Sequence, residues 1–266
     1  MKQLISAALC AGLFATQPGI IYAAEDDPII TATPVPEHSA YYSQAADTDS
    51  IKGWPTGPSI EGQSAVLMDA VTDTVLYSKN ADEKLYPASI TKIMTALLAC
   101  ENLDMNDTIT MSQEAAYGIE SGSSSIYAET GEVFTVEQAL MALMLESANE
   151  MALALAEKVS GSVKKFVELM NQRAEQLGCH NTHFNNPNGL HDEKHYTTAN
   201  DMMKIAKAAW YNPLYRKFVT TQVYEVPPTN MQPETRYFLN HHKMMAGQSY
   251  AYDGVPDTPP TQETPW

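Results

Sequence analysis

The run from Ala139 to Leu145 is apolar on nearly every side of a helix. A helix of that kind must be covered on all faces, so it belongs in the centre of a layered domain. Local signals say where it starts. Thr135 stands at the N-cap, Gln138 follows three residues on as a capping box, and Phe134 occupies the staple position. The run breaks at Glu146-Ser-Ala-Asn149 and resumes as a second apolar segment, Met151 to Leu155. Polar groups there are costly unless bonded or used. The break is therefore either a helix cap, with Asn149 bonding a free N–H, or a functional element. Met141, Met144 and Met151 read as core filler.

Other elements must supply the cover. With 266 residues, 44% of them apolar, the chain has material for one large domain or two small ones. Ser64-Ala-Val-Leu-Met-Asp69 and Thr74-Val-Leu-Tyr77, separated by Ala70-Val-Thr-Asp73, predict an antiparallel hairpin. Ile90, Ile93, Met94, Leu97 and Leu98 have helical spacing, in a helix from about Ser89. Ser162 opens another helix that Gly178 ends, and Thr198 caps one running to about Trp210. Tyr224–Val226 and Tyr237–Leu239 read as strands. Strands, a helical middle and strands again predict an α+β fold with a sheet drawn from both ends of the chain.

The margins differ from this interior. Lys2, an apolar run from Leu4 to Ala15 and small residues at Ala23-Ala24 predict a signal peptide over residues 1–24. Residues 25–60, rich in Pro, Ser, Thr and acid, predict a disordered or loosely packed leader. The expected location is extracytoplasmic or secreted. No later segment is long and apolar enough to predict a membrane anchor. Asp plus Glu number 32 against 16 Lys plus Arg, a net charge of −16, which argues against nucleic acid as a partner. Cys100 and Cys179 could pair or stay as buried thiols. Zinc-ligand spacings are absent, and His191 with His195 reads as a surface pair or a hydrogen-bonded brace, so neither metal nor cofactor is expected.

Chemistry concentrates at Ser89 and Lys92. Three residues apart on a helix start, the two side chains share a face, with Cβ atoms roughly 5–6 Å apart. A serine hydroxyl is a weak nucleophile until a base takes its proton, and a lysine amine can do so once burial lowers its pKa. The N–H groups of a helix start can also face a developing oxyanion. Ser147 and Asn149, in the break of the apolar helix, could bring a second hydroxyl and an amide to the same place.

These strings, in this order, resemble the D-alanyl-D-alanine carboxypeptidases, the low-molecular-mass penicillin-binding proteins. The resemblance rests on Ser64–Asp69, Tyr77-Ser-Lys-Asn80, Pro87-Ala-Ser-Ile-Thr-Lys-Ile-Met-Thr-Ala96 and Ser147-Ala-Asn149. It continues through Asn186-Pro-Asn-Gly-Leu190, His195-Tyr-Thr-Thr-Ala199 with Asp201-Met202, and Tyr237-Phe-Leu-Asn-His241. It implies a serine β-lactamase/D,D-peptidase-like α+β fold, a helical subdomain plus an antiparallel sheet, over residues 61–255. It implies Ser89 as nucleophile, Lys92 as its base, Ser147 as proton relay and Asn149 as substrate-binding residue. The implied partners are peptidoglycan stem peptides ending in D-Ala-D-Ala, with β-lactams as covalent inhibitors and no cofactor. Two other readings are a non-catalytic muropeptide- or β-lactam-binding module and a β-lactamase relative. A class A β-lactamase uses a carboxylate base for deacylation, and no convincing E-x-x-x-N stands between the second element and the C-terminal strands.

One departure is plain. The family's third motif, K-T-G, does not occur; Tyr252-Asp-Gly-Val255 leads instead into a Pro/Thr-rich tail over residues 256–266. The resemblance then implies an incomplete domain. It would lack the strand beside the site, its oxyanion N–H, the lysine and threonine for the substrate carboxylate, the later strands and the closing helix. The helix at 139–145 would then be left partly uncovered.

Overall fold

The structure is a computed structural model, and it describes residues 38–242 together with Met245. The predicted signal peptide and the 256–266 tail lie outside the described residues. The chain divides into two compact units, one ending at Ala81 and the other beginning at Asp82.

In the first unit the predicted hairpin forms, as strands β1 (Ala65–Met68) and β2 (Val75–Lys79). They pair antiparallel, Ala65 opposite Lys79 and Leu67 opposite Tyr77, with an irregularity between Leu67 and Met68. Asp69 accepts from the N–H groups of Val71 and Thr72, and Asp73 turns the chain in the left-handed region. Residues 38–60 depart from the loosely packed leader that composition suggests. A 3₁₀ turn at Asp47–Ser50 buries Thr48, and the Asp49 carboxylate accepts from Gly57 N–H at 2.7 Å. Lys79, fully buried, donates its ammonium to the carbonyls of Tyr41 and Ile60. A buried cation needs partners, and here this segment's own backbone provides them.

The second unit is mainly helical. A 3₁₀ turn, Ala88–Thr91, leads into α1 (Lys92–Asn102); then come β3 (Thr108–Thr110), α2 (Gln113–Tyr117), β4 (Val133–Thr135) and α3 (Val136–Leu145). After them run α4 (Asn149–Ser160), α5 (Val163–Gln176), α6 (Ala199–Trp210), α7 (Pro213–Thr220), β5 (Val223–Val226) and β6 (Arg236–Leu239). The caps fall on the predicted residues. Thr135 Oγ1 accepts from Gln138 N–H at 3.1 Å, and Gln138 Oε1 from Thr135 N–H at 2.8 Å. Ser162 and Thr198 accept from the third residues of α5 and α6, and Gly178 takes φ +73° just past α5. Asn212 caps α7 ahead of Pro213.

The hydrophobic core is centred on α3. Leu140, Met141, Leu143 and Leu145 are buried, and α1, α4, α7 and β6 pack against the helix. The expectation that missing strands would leave it uncovered does not hold. Ala139–Leu143 and Leu145 are buried and Met144 is partly buried, as the near all-round hydrophobicity of the run demands. Met141 and Met151 are buried core residues. Cys100 and Cys179 are both free and buried.

Strand pairing differs from the expectation in a definite way. Among the described residues the strands form three separate two-stranded antiparallel sheets, β1–β2, β3–β4 and β5–β6, with α2 lying between β3 and β4 in the chain. A single sheet drawn from both ends of the chain is not seen. β3 and β4 also interrupt the stretch expected to be all helix; Ile109 faces Phe134 across that ladder and both are buried. Strands of three residues are too short for an alternation to show in sequence.

Candidate active site

Ser89 lies on the 3₁₀ turn rather than on the α-helix itself. Its neighbour Ala88 has φ +50°, in the left-handed region that non-glycine residues rarely enter. This kink leaves Ser89 exposed while Lys92, the first residue of α1, turns inward and is 3% exposed. Left-handed residues of this type cost about 1–3 kcal/mol and persist where surrounding contacts hold them. The contacts here come from the loop after α5. Gly189, at φ +88°, lies so close to the turn that a Cβ on it would sit 1.9 Å from the Ala88 carbonyl oxygen. Only a glycine allows that approach.

The same loop defines the surroundings of Lys92. Its ammonium nitrogen donates to the Asn188 carbonyl at 2.8 Å and reaches Ser89 Oγ at 3.3 Å. Thr95, one turn further along α1, donates to the Pro187 carbonyl at 2.6 Å. The loop is internally tied: Asn186 Oδ1 accepts from Gly189 N–H, and Asn186 Nδ2 donates to the Leu190 carbonyl. Burial pushes the Lys92 pKa down to about 7, against the opposing pull of the nearby Glu150 carboxylate. Water exclusion wins because a charged amine loses more on burial than one partly satisfied carboxylate returns. A lysine poised near neutrality and in reach of a serine hydroxyl can act as its general base.

Ser147 and Asn149 occupy the turn between α3 and α4. Ser147 has φ +57°, the second left-handed non-glycine residue at a predicted site element. Asn149 is buried and is the first residue of α4, which has no side-chain cap. Its backbone N–H donates instead to the Ser124 carbonyl at 2.9 Å. The cap alternative for the Asn149 side chain is thus not what the structure contains. Ser89 and Lys92 are joined directly. Among the described residues no hydrogen bond links Ser147 or Asn149 to that pair; α1 and α4 pack together, and Glu150 acts on Lys92 through its charge.

Some contributors were not singled out in the sequence reading. Glu150 Oε1 accepts from Ser125 Oγ at 2.7 Å and Ile126 N–H at 2.6 Å, pinning that loop to the start of α4. Glu146 Oε1 accepts from Leu239 N–H, tying the end of β6 to the residue before Ser147. Asn188 offers a carbonyl, which no side-chain motif can announce; the Asn186-Pro-Asn-Gly-Leu190 string marks the segment by resemblance but not this role. His195 is buried and hydrogen-bonded to Thr91 at 2.8 Å, so of the two readings for this histidine the brace is the observed one. Burial lowers its pKa to about 4, despite Asp192 nearby.

Comparison with known proteins shows the family. The chain is 44% identical over 166 residues to D-alanyl-D-alanine carboxypeptidase DacF of Bacillus subtilis, spanning 60% of this chain and 42% of that protein. It is 38% identical over 178 residues to the D-alanyl-D-alanine carboxypeptidase of Streptomyces sp. strain K15, spanning 64% and 61%. The chain thus spans less than two thirds of the length of each of these relatives. Among solved structures, the Streptomyces K15 DD-transpeptidase superposes with a TM-score of 0.65 at 33% identity, covering 70% of this chain and 76% of that one. Penicillin binding protein 6B from Escherichia coli superposes with a TM-score of 0.64 at 27% identity, covering 72% and 62%. The D-alanyl-D-alanine carboxypeptidase family profile matches residues 52–258. That stretch is most of the chain and includes the serine turn, its buried lysine and the helix break at Ser147, so the chain belongs to the D-alanyl-D-alanine carboxypeptidase family.

Proposed function

We propose that this chain is a serine-type D-Ala-D-Ala carboxypeptidase acting on peptidoglycan stem peptides through an acyl-enzyme. The observation that carries the reading is the buried Lys92 amine, with a pKa of about 7, 3.3 Å from Ser89 Oγ. Neutral Lys92 takes the Ser89 proton as Oγ attacks the carbonyl carbon of the penultimate D-alanine. The Ser89 backbone N–H stabilises the developing oxyanion. Ser147 passes the proton to the leaving D-alanine nitrogen, and Asn149 bonds the peptide. Water then attacks the ester and frees Ser89. β-Lactams acylate the same oxygen. The chain acts outside the cytoplasm after removal of residues 1–24.

A fluorescent penicillin tests the assignment. Mass spectrometry should place the adduct on the peptide containing Ser89, and Ser89→Ala should abolish it. An adduct elsewhere, or one that persists in the alanine variant, refutes the role. A second reading is a β-lactam- or muropeptide-binding module, since among the described residues the hydrogen bonds of the Ser89–Lys92 pair run to each other and to Asn188 rather than to Ser147 or Asn149. Labelling at Ser89 without D-alanine release from a stem peptide would decide for it.

A further inference from the structure

The loop over Lys92 has a clamp that the proposed chemistry does not itself use. His195 is 2% exposed and lies at the far end of the loop that carries Pro187, Asn188 and Gly189. Asn185 N–H donates to His195 Nδ1 at 3.1 Å. A backbone N–H can only donate, so Nδ1 carries no proton and the neutral ring holds its hydrogen on Nε2. Nε2 lies 2.8 Å from Thr91 Oγ1, and Thr91 is the residue before Lys92. The ring is packed edge-on against Phe184, with centroids 5.6 Å apart. Asp192 and His183 are the titratable groups that act on the ring, and Thr91 meets it from the 3₁₀ turn.

We propose that His195, as the Nε2–H tautomer, is a positioning residue that clamps the 185–195 loop over Lys92 by donating to Thr91. The clamp works at one remove. It keeps the Asn188 carbonyl on the ammonium nitrogen and keeps water out of the space that Asn188, itself 3% exposed, fills. Without it the loop lifts, Lys92 becomes hydrated and holds its proton, and the base is lost at neutral pH. The inference rests on Lys92 as base, the reading given above. The two are separable, because the state of Lys92 can be observed without turnover.

The side chains that replace one imidazole nitrogen at a time supply the test. In a side chain of matching reach, Asn presents its amide near the Nδ1 position and Gln near the Nε2 position. His195→Gln keeps a donor for Thr91; His195→Asn does not, and Thr91→Val removes the acceptor. In the full chain, His195→Asn and Thr91→Val should slow penicillin acylation by roughly 10²-fold, the scale of a small misplacement of catalytic groups. The double variant should be no slower than either single one, and His195→Gln should stay near wild type. In ¹³C-lysine spectra the Lys92 Cε signal, identified by its loss in Lys92→Arg, should titrate near pH 7 in wild type and in His195→Gln. In His195→Asn and Thr91→Val the midpoint should move up toward the ordinary 10.5. A purely structural histidine would lower the melting temperature and leave the midpoint in place; that result overturns the proposal. If wild type is not acylated at all, the proposed function falls while the Lys92 midpoints still decide the clamp.

Discussion

Lys92 determines when the proposed reaction can run. With its pKa near 7 because burial disfavours the ammonium form, the amine is protonated below neutrality and free above it. Acylation should therefore climb as pH rises through about 7 and level off beyond; a flat profile between about pH 5 and 9 would contradict a lysine base. Lys92→Ala should slow acylation by about 10²–10⁴-fold at neutral pH, read from the rate of penicillin labelling. The residue types at Ser89, Lys92, Ser147 and Asn149 could be picked out by spacing and by resemblance to a family. The carbonyl of Asn188 and the left-handed Ala88 could not. A carbonyl belongs to every residue, and alanine carries no preference for positive φ; both follow from the way the loop after α5 lands on the turn.

Among elements, α3 tests how much local signals contribute. Its capping box satisfies two part-buried donors at the start of a core helix. Thr135→Ala should destabilise the protein by about 1 kcal/mol in denaturant titrations; an unchanged midpoint would mean that packing alone sets the helix start. Helix starts and ends were readable because caps act within four residues. The β3–β4 pairing was not, since three-residue strands rely on partners distant in sequence rather than on a period of their own.

On the scale of the whole molecule, the C-terminal hairpin is fastened to the helical unit by an ion pair. Glu132, fully buried, meets Arg236 of β6 at 2.8 and 3.2 Å and accepts from Thr229 and the Glu129 N–H. Burial works to raise the Glu132 pKa, but these partners outweigh it and hold the carboxyl below its ordinary 4.5. A depressed carboxyl pKa contributes stability above the ordinary value and loses it as pH falls through the folded one. Arg236→Met should cost about 3–5 kcal/mol, because the carboxylate stays buried without its cation. The double variant Arg236→Met/Glu132→Gln should recover part of that loss in a thermal melt. A double variant no more stable than Arg236→Met alone would show that the charge left behind is not the cause.

Features that depend on near neighbours along the chain are written in the order of residues alone. These are the caps at Thr135, Ser162 and Thr198, the β1–β2 hairpin, the all-round apolar helix that had to become the core, and the serine–lysine spacing. Such signals act over a turn of helix or a strand pair, so the string of residues contains them entire. Tertiary structure alone decided what depends on residues far apart. It paired β3 with β4 across the intervening α2, set Gly189 against Ala88, and placed the Asn188 carbonyl on Lys92 across 96 positions of chain. The proton affinity of Lys92 belongs with these. Desolvation sums over everything that surrounds an atom, and only the folded chain brings those surroundings together.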